Sequence, residues 1–334
     1  MTRTFDVYVT RRLPEPGMSM LATLGRVEVN PHDRPLTRAE LLEAVRGRDG
    51  LVTLLTDQID AEVMDAAGPR LRVISNYAVG FNNIDVAEAT RRGVLVCNTP
   101  GVLTETTADL AWALIMAVAR RIVEADAFMR SGRFEAMGGW SPTLLLGSDV
   151  HGKTLGIVGF GRIGEAVARR ARGFDMRVLY HDVRRRPADE ERRLGVEYRD
   201  LDDLLRESDF VSLHVDLNAS TRHLIDARAL SLMKPTAYLI NTSRGPVVDE
   251  AALVAALREG RIAGAGLDVF EDEPRMAPGL AELSNVVVLP HIASASIETR
   301  ARMAEMAAAN LIAALSGQRP AHVVNPEVLE GKRA

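Results

Sequence analysis

The sequence predicts an α/β protein with two doubly wound parallel-sheet domains. Its 334 residues are more than one average domain needs and correspond to about two. Short apolar segments with strand character alternate with helical patterns twice, first over the opening hundred residues and again from Thr154 onward. Such alternation favours parallel strands in a sheet that helices cover on both faces.

The composition supports ordinary globular domains and excludes several classes of protein. Hydrophobic residues make up 47% of the chain, so each domain can bury a core. The net charge of −4 argues against a nucleic-acid partner, which would require a concentrated basic face. Cys97 is the only cysteine, so no intrachain disulfide is possible and a reducing cytoplasm fits. Neither a cysteine cluster nor a His-Glu-X-X-His motif occurs, so no metal site is predicted.

Membrane association is not expected either. Residues 1–16 alternate apolar and charged side chains and contain no apolar signal-peptide block. The longest apolar run, Leu110 to Ala119, is too short to span a bilayer and repeats at helical spacing. We therefore expect a cytoplasmic protein without a membrane partner.

The first series contains four strand candidates and a well-marked helix start. Thr37 is followed three residues later by Glu40, which predicts a capping box. The strand candidates are Phe5–Thr10, Leu51–Leu55, Leu71–Ser75 and Val94–Cys97.

One long helix is predicted between the two series, from about Glu105 to Ser131, with Thr104 as its N-cap. The stretch from Gly132 to Gly152 is rich in Gly, Ser and Pro and is irregular. Connections of this length are usually functional or lie on a partner.

The second series begins at Thr154 and ends in a helix. The amphipathic segment from Ser296 to Ser316 predicts a helix with Met303, Met306, Leu311 and Leu315 facing inward. The strand candidates are Thr154–Gly159, Arg177–His181, Phe210–His214, Ala237–Asn241, Gly264–Val269 and Val286–Pro290.

A glycine-rich turn in the second series has the spacing of a dinucleotide-binding site. After an apolar strand come Gly159, Gly161 and Gly164, which suit a tight turn, a close approach of pyrophosphate to the backbone, and packing of the next helix on the strand. Asp182 stands at the end of the following strand, where an acidic residue holds the ribose hydroxyls. The alternative is a tight turn that binds no ligand. The combination of strand, turn, helix and aspartate favours a Rossmann domain that binds NAD or NADP.

A second glycine motif, from Gly147 to Thr154, matches the P-loop pattern letter for letter. A P-loop follows a strand and opens a helix, because the helix N-terminus holds the phosphates. Here the Gly-Lys-Thr precedes a strand, so a nucleotide triphosphatase is rejected.

Three charged residues follow strands of the second series. Arg244, Glu273 and His291 are far apart in sequence, but the carboxyl ends of parallel strands share one edge of the sheet. Arginine matches a carboxylate and polarises a carbonyl, and histidine beside a glutamate can supply a proton near neutral pH. Taken singly, such a histidine is more often structural and such an arginine more often lies at the surface. Their shared position after a dinucleotide turn favours reduction of a keto acid.

These residues together resemble the D-isomer-specific 2-hydroxyacid dehydrogenases, and within them the glyoxylate and hydroxypyruvate reductases. The resemblance implies NAD(P)H-dependent reduction of a small 2-keto acid to the D-2-hydroxy acid. Its most specific stretches are Asn76-Tyr-Ala-Val-Gly-Phe-Asn-Asn-Ile-Asp85, Asn98-Thr-Pro-Gly-Val-Leu-Thr104, Val158-Gly-Phe-Gly-Arg-Ile-Gly164, Asn241-Thr-Ser-Arg-Gly245, Gly266-Leu-Asp-Val-Phe-Glu-Asp-Glu-Pro274 and Pro290-His-Ile.

The resemblance also implies roles for individual substrate-site residues. Arg244 would bind substrate, and His291 would be the acid/base residue paired with Glu273. The backbone N–H groups of Val79 and Gly80 would hold the substrate carboxylate.

For the cofactor, the resemblance implies that Arg162 and Ile163 lie on the pyrophosphate and that Asp268 binds the nicotinamide amide. The carboxylate of Asp182 favours NAD, because a 2′-phosphate would place a second negative charge against it. The arginines at 184–186 leave NADP possible as a second cofactor.

At the level of the whole chain, the family fold implies a dinucleotide-binding domain at residues 101–290. A discontinuous, flavodoxin-like substrate domain would be formed by residues 1–100 and 291–334. Family members pair through the long-helix region, so we expect a homodimer. In it, Trp140 either reaches the substrate cleft of the neighbouring subunit or packs within its own chain.

Val79 counts against a phosphite dehydrogenase, which would be expected to carry Lys at this position. Asp216 departs from the family pattern, since related reductases usually have Pro there, in a loop near the nicotinamide. Two alternatives stay open. The chain could be a dehydrogenase of another 2-hydroxy acid. It could also be a non-catalytic NAD(H)-sensing protein on the same fold.

Overall fold

The computed structural model describes residues 4–330, and the chain folds into two compact units. Unit one contains Met1–Leu103 and Ser294–Ala334, and unit two contains Thr104–Ala293. Unit one is therefore discontinuous in sequence. Among the described residues, no helix has both the length and the apolar character needed to cross a membrane.

The sheet of unit one is parallel and doubly wound, as predicted. Its strands, within the described residues, are β1 (Phe5–Val9), β2 (Gly25–Val29), β3 (Gly50–Thr53), β4 (Val73–Asn76) and β5 (Leu95–Cys97). They lie in the order β2-β1-β3-β4-β5, which is the flavodoxin-like order. Every residue of β3 and β4 is buried, because helices cover both faces of a parallel sheet.

Two helices of unit one were marked in the sequence, one by its capping box and one by its apolar face. The capping box is present, since Thr37 accepts the N–H of Glu40 and the Glu40 carboxylate accepts the N–H of Thr37. In the C-terminal helix Met303, Leu311 and Leu315 are buried as predicted, whereas Met306 is only partly buried. The helices are Gly17–Leu21, Arg38–Ala44, Ala61–Ala67, Val86–Arg91, Ile297–Leu315 and Glu327–Glu330.

The sheet of unit two has the strand order of a Rossmann domain. The strands of residues 104–293 are β6 (Thr154–Val158), β7 (Arg177–His181), β8 (Val196–Tyr198), β9 (Phe210–Leu213), β10 (Tyr238–Asn241), β11 (Gly264–Leu267) and β12 (Val286–Val288). All pairs are parallel, and the order is β12-β11-β10-β9-β6-β7-β8. The strand order reverses between β6 and β9, and ligands of such sheets bind at the carboxyl ends of the strands beside that switch point.

The prediction of one helix from Glu105 to Ser131 is wrong. Two helices occupy this stretch, because Arg121 adopts a left-handed conformation with φ of 54° between them. The N–H of Ser148 donates to the carbonyl of Ala119 at 2.8 Å, so the following loop supplies the partner that a continuing helix would have supplied. The helices of unit two are Thr104–Ala119, Ile122–Arg130, Arg133–Ala136, Arg162–Ala171, Ala188–Leu194, Leu201–Glu207, Ala227–Leu232 and Glu250–Arg258.

Three further details differ from the sequence prediction. Thr104 is the first residue of its helix rather than the N-cap before it. The edge strands β2 and β8 were not predicted. The strand β2 is largely exposed and β8 has only three residues, so neither has the continuous apolar pattern of the central strands.

Candidate active site

The glycine turn after β6 has the geometry that dinucleotide binding requires. Gly159 has φ of +91°, and a Cβ there would lie 2.6 Å from the backbone of His214, so the tight turn excludes other residues. A Cβ on Gly164 would lie 2.2 Å from the carbonyl oxygen of Gly159, which fixes close packing of helix on strand. Around Gly161, by contrast, a Cβ would meet open space, which is where a pyrophosphate approaches the backbone.

The helix that follows this turn begins at Arg162 and Ile163, and no side chain caps its N-terminus. Its first N–H groups are thus available to an anion. Asp182, directly after β7, accepts the N–H of Phe160 at 2.7 Å and the N–H of Arg184 at 3.0 Å. An ionised carboxylate has about four acceptor positions, so Asp182 retains the capacity to accept ribose hydroxyls. The residues present therefore fit a dinucleotide.

The three charged residues of the second series follow three adjacent strands. Arg244 comes after β10, Glu273 after β11 and His291 after β12. Gly245 allows the first two loops to approach, because a Cβ on it would lie only 1.9 Å from the backbone of Phe270. The sequence prediction that these strand ends share one edge of the sheet is correct.

Glu273 and His291 form a direct pair. Nδ1 of His291 lies 2.9 Å from Oε2 of Glu273, and the other carboxylate oxygen accepts the N–H of Phe270 at 3.1 Å. Burial acts to raise the pKa of Glu273, but the bond and charge of His291, the N–H of Phe270 and the charge of Arg244 outweigh it, so this pKa lies below its usual value. An ionised Glu273 orients the imidazole by accepting from Nδ1, which leaves Nε2 for a ligand.

The turn that carries His291 is fixed by Asp268. His291 has φ of 54°, and its N–H donates to the carbonyl of Asp268 at 2.9 Å. The fully buried carboxylate of Asp268 accepts the N–H groups of Ile292 at 2.7 Å and Ala293 at 2.8 Å. Asp268 therefore positions His291, a role that sequence reasoning missed. An interaction of Asp268 with the nicotinamide amide stays a prediction.

Arg244 is partly buried in a turn that Asn241 shapes. The Asn241 side chain donates to the carbonyl of Arg244 at 3.0 Å and accepts the N–H of Ser243 at 3.0 Å. Burial lowers the pKa of Arg244, while the negative charges of Glu273 and Asp216 raise it. Arginine remains protonated in proteins, so the site holds a partly buried positive charge that interacts with the carboxylates of Glu273 and Asp216. An asparagine directly at a strand end is the sequence signal for such a turn.

Glu250 holds the loop that carries Glu273. Its carboxylate accepts the N–H of Glu271 at 2.7 Å and the N–H of Ala277 at 3.0 Å, on either side of Glu273. Burial raises the pKa of Glu250, and the two backbone bonds oppose that shift. This residue gave no signal in the sequence, because its partners lie more than twenty residues away.

The remaining predicted site residues, Val79 and Gly80, lie in the loop after β4 of unit one, and both are partly exposed. Within residues 4–330, no group of three or more His, Cys, Asp or Glu side chains could hold a metal ion.

Comparison with known proteins gives consistent matches over the chain. The family model described as "D-isomer specific 2-hydroxyacid dehydrogenase, NAD binding domain" matches residues 112–293. The chain is 57% identical over 326 residues to the glyoxylate reductase of Korarchaeum cryptofilum, which covers 97% of both chains.

Solved structures are similar as well. A protein from Thermus thermophilus superposes with a TM-score of 0.88 at 48% identity, covering 96% of this chain and 99% of that chain. The NADPH-dependent glyoxylate/hydroxypyruvate reductase of Sinorhizobium meliloti, solved with NADP and malonate, gives a TM-score of 0.83 at 34% identity, covering 96% of this chain and 97% of that one.

Proposed function

Because this chain belongs to the D-isomer-specific 2-hydroxyacid dehydrogenase family, we propose that it reduces glyoxylate, and also hydroxypyruvate, with a nicotinamide dinucleotide. The observation that carries the proposal is the Glu273–His291 pair, with Arg244 on the neighbouring strand end, in the sheet whose glycine turn fits a dinucleotide. The relatives named glyoxylate reductase support this choice of keto acid.

Each predicted residue has a defined task in this reaction. Val79 and Gly80 bind the substrate carboxylate through their N–H groups, and Arg244 binds the substrate and polarises its carbonyl. His291 donates the proton that the carbonyl oxygen acquires, and Glu273 stabilises the imidazolium before that transfer. In the reduction, C2 of the keto acid gains a hydride and its carbonyl oxygen gains a proton, which gives the 2-hydroxy acid.

The cofactor, when bound, supplies the hydride. The residues that would hold it all belong to unit two, which we assign as the dinucleotide-binding domain, with unit one as the substrate domain. They are Gly159, Gly161, Arg162, Ile163 and Gly164 for the pyrophosphate, Asp182 for the ribose and Asp268 for the nicotinamide amide.

The direct test is oxidation of NADH at 340 nm with glyoxylate, hydroxypyruvate and bulkier 2-keto acids. We expect turnover with the first two and lower kcat/KM as the side chain grows. A protein that binds NADH but turns over none of these acids would instead be an NAD(H) sensor.

We predict that NADH is preferred over NADPH by roughly tenfold or more in kcat/KM, which corresponds to about 1.4 kcal/mol. Asp182 would face the 2′-phosphate with like charge, and the neighbouring Val183 is fully exposed and offers no positive charge. Arg185 is held by Glu191 at 2.9 and 3.0 Å, and Arg186 donates to Glu190 at 3.3 Å, so each would have to exchange partners to bind a phosphate.

The check is kcat/KM with both cofactors for the wild type and Asp182→Ser. The serine variant is expected to narrow or reverse the preference. Arg184→Ala is the companion variant, because among the described residues the Arg184 side chain has no hydrogen bond or ion pair and would not have to exchange partners to bind a phosphate. It is expected to lower the rate with NADPH and to leave the rate with NADH nearly unchanged. Equal or better rates with NADPH in the wild type would show that the arginines decide cofactor choice.

We further propose a cytoplasmic homodimer. Between Ile122 and Leu146, unit two exposes large apolar side chains, of which Trp140 is 80% exposed. Covering such a surface favours association. The exposed residues of this stretch are Ile122, Val123, Met129, Met137, Trp140 and Leu146.

In the dimer, Trp140 would reach the substrate site of the partner subunit. Light scattering is expected to give twice the chain mass, and a monomer would overturn the dimer. Trp140→Ala is expected to raise KM for keto acids while leaving the dimer intact, and an unchanged KM would remove only the role of Trp140.

A further inference from the structure

The loop after β4 has three consecutive carbonyl groups that are each bound by a donor of unit one. The carbonyl of Ala78 accepts the N–H of Thr99 at 2.9 Å. That of Val79 accepts Nδ2 of Asn98 at 2.8 Å, and that of Gly80 accepts Nδ2 of Asn76 at 3.0 Å.

These bonds set the direction of the neighbouring N–H groups. In a planar trans peptide, the C=O of one residue and the N–H of the next point in opposite directions. Holding the carbonyls of residues 78–80 therefore fixes the directions of the N–H groups of Val79, Gly80 and Phe81, each of which points away from the donor that holds the preceding carbonyl. Within the described chain, none of these three N–H groups donates to a protein acceptor. Successive N–H groups of a turn that have no protein acceptor are the usual elements of a backbone anion-binding site.

Both asparagines are themselves anchored, Asn76 through its side chain and Asn98 through its backbone. Asn76 is fully buried, and its Oδ1 accepts the hydroxyl of Thr53 at 2.9 Å, so its Nδ2 is the atom presented to Gly80. The backbone carbonyl of Asn98 accepts Nδ2 of Asn310 at 3.0 Å. An aspartate at either position could not donate, and its charge would repel the carbonyl that the amide now holds.

We propose that Asn98 and Asn76 are positioning residues that hold a three-donor carboxylate site, in which the N–H of Phe81 acts together with those of Val79 and Gly80. This inference rests on the proposed function, because the anion is the carboxylate of the 2-keto acid. The asparagines act through the loop and do not touch the substrate.

The test is Asn98→Asp, with Asn98→Ala as a second variant that removes the donor without adding charge. We expect KM for glyoxylate and the Kd of oxalate to rise by roughly ten- to a hundredfold, the loss typical of a misaligned bond to a charged group. Oxalate is the probe because it carries the carboxylate but accepts no hydride. The Kd of NADH, measured by fluorescence, and kcat at saturating glyoxylate are expected to change much less.

The matched control is Asn30→Asp. Like Asn98, Asn30 is an amide of unit one whose Nδ2 is bound to backbone carbonyls, here those of Thr10 and Arg34 at 2.9 Å each. Asn30 is buried, whereas Asn98 is partly buried. Thermal melting is expected to show similar destabilisation of both Asp variants, with a changed oxalate Kd only for the change at Asn98. An unchanged oxalate Kd in both Asn98 variants, or an equal change in Asn30→Asp, would overturn the proposal.

Turnover of 2-keto acids tests the proposed function, whereas oxalate affinity tests the anion site, so the two can fail separately. Calorimetry measures oxalate binding without turnover, so a wild type that reduces no 2-keto acid contradicts the proposed function alone. The comparison of oxalate affinity between wild type and Asn98 variants still decides whether the amides hold an anion site.

Discussion

His291→Ala is expected to lower kcat for glyoxylate reduction by roughly 100- to 10,000-fold while NADH binding is retained. The reason is that in the proposed reaction Nε2 of His291 donates the proton, with Nδ1 held by Glu273, and alanine has no group that could do so. Removing the imidazole leaves the glycine turn and Asp182 unchanged. The measurement is steady-state kcat with glyoxylate, together with the Kd of NADH by fluorescence.

A second imidazole–carboxylate pair provides a matched control. His223 lies 2.6 Å from Glu271 through Nε2 and also has a positive φ, of 51°. His223→Ala therefore removes the same kind of contact in the same unit, and we expect it to keep most of its turnover. Near-normal glyoxylate reduction by His291→Ala, or equal losses in the two alanine variants, would contradict the assignment.

Glu273→Gln separates two effects of Glu273 on His291, which are the orientation of the imidazole and the stabilisation of its protonated form. The amide keeps a hydrogen-bond acceptor near Nδ1 of His291 but removes the negative charge that stabilises an imidazolium. We therefore expect a steady-state kcat for glyoxylate between that of the wild type and that of His291→Ala.

The parts of the site that follow strands were predictable from local sequence. Arg244, Glu273 and His291 each come shortly after an apolar run that predicts a strand. In a parallel sheet this places them at the carboxyl edge, whatever the length of chain between the strands. The glycine turn was predictable for the same reason, since strand, turn and helix are contiguous from Thr154 to Ala171.

The parts that depend on contacts distant in sequence were not predictable. The helical pattern continues past Arg121, but the first helix ends there, where Arg121 is left-handed and the N–H of Ser148 binds the carbonyl of Ala119. Likewise, the loop bearing Glu273 is held by Glu250, and the carbonyl of Val79 is held by Asn98. Each of these partners is a common polar residue whose role depends on where the fold brings it, and a single sequence does not contain that information.

Asp268 was predictable in part, because the local sequence marks the residue but only distant contacts show its structural role. Its place in the Gly-Leu-Asp-Val-Phe stretch identifies it as a residue of interest, but the sequence suggests contact with the nicotinamide. The structure adds that its buried carboxylate accepts two N–H groups of the turn after His291. One side chain can thus be both a predicted cofactor-binding residue and the support of the turn that carries His291.

Arg244→Ala is expected to lose both turnover and affinity for the keto acid, with kcat/KM falling by a few hundredfold or more, which corresponds to about 3 kcal/mol or above. Arg244 is a partly buried positive charge that interacts electrostatically with Glu273 and Asp216. Without it, these two carboxylates would repel an anionic substrate. The pKa of Glu273 would also rise, because the charge of Arg244 helps to lower it.

Arg244→Lys tests whether charge alone is sufficient. Lysine keeps the charge but lacks the planar fork that binds a carboxylate or a carbonyl through two donors, so we expect an intermediate kcat/KM with the larger part of the loss in KM. Arg222→Ala is the control, since Arg222 is largely exposed and pairs with Glu271 at 3.2 Å. If Arg244→Lys matched the wild type, Arg244 would act as a point charge. If Arg244→Ala kept normal KM and kcat, the residue would have no part in substrate binding, and the carbonyl would have to be polarised by another group.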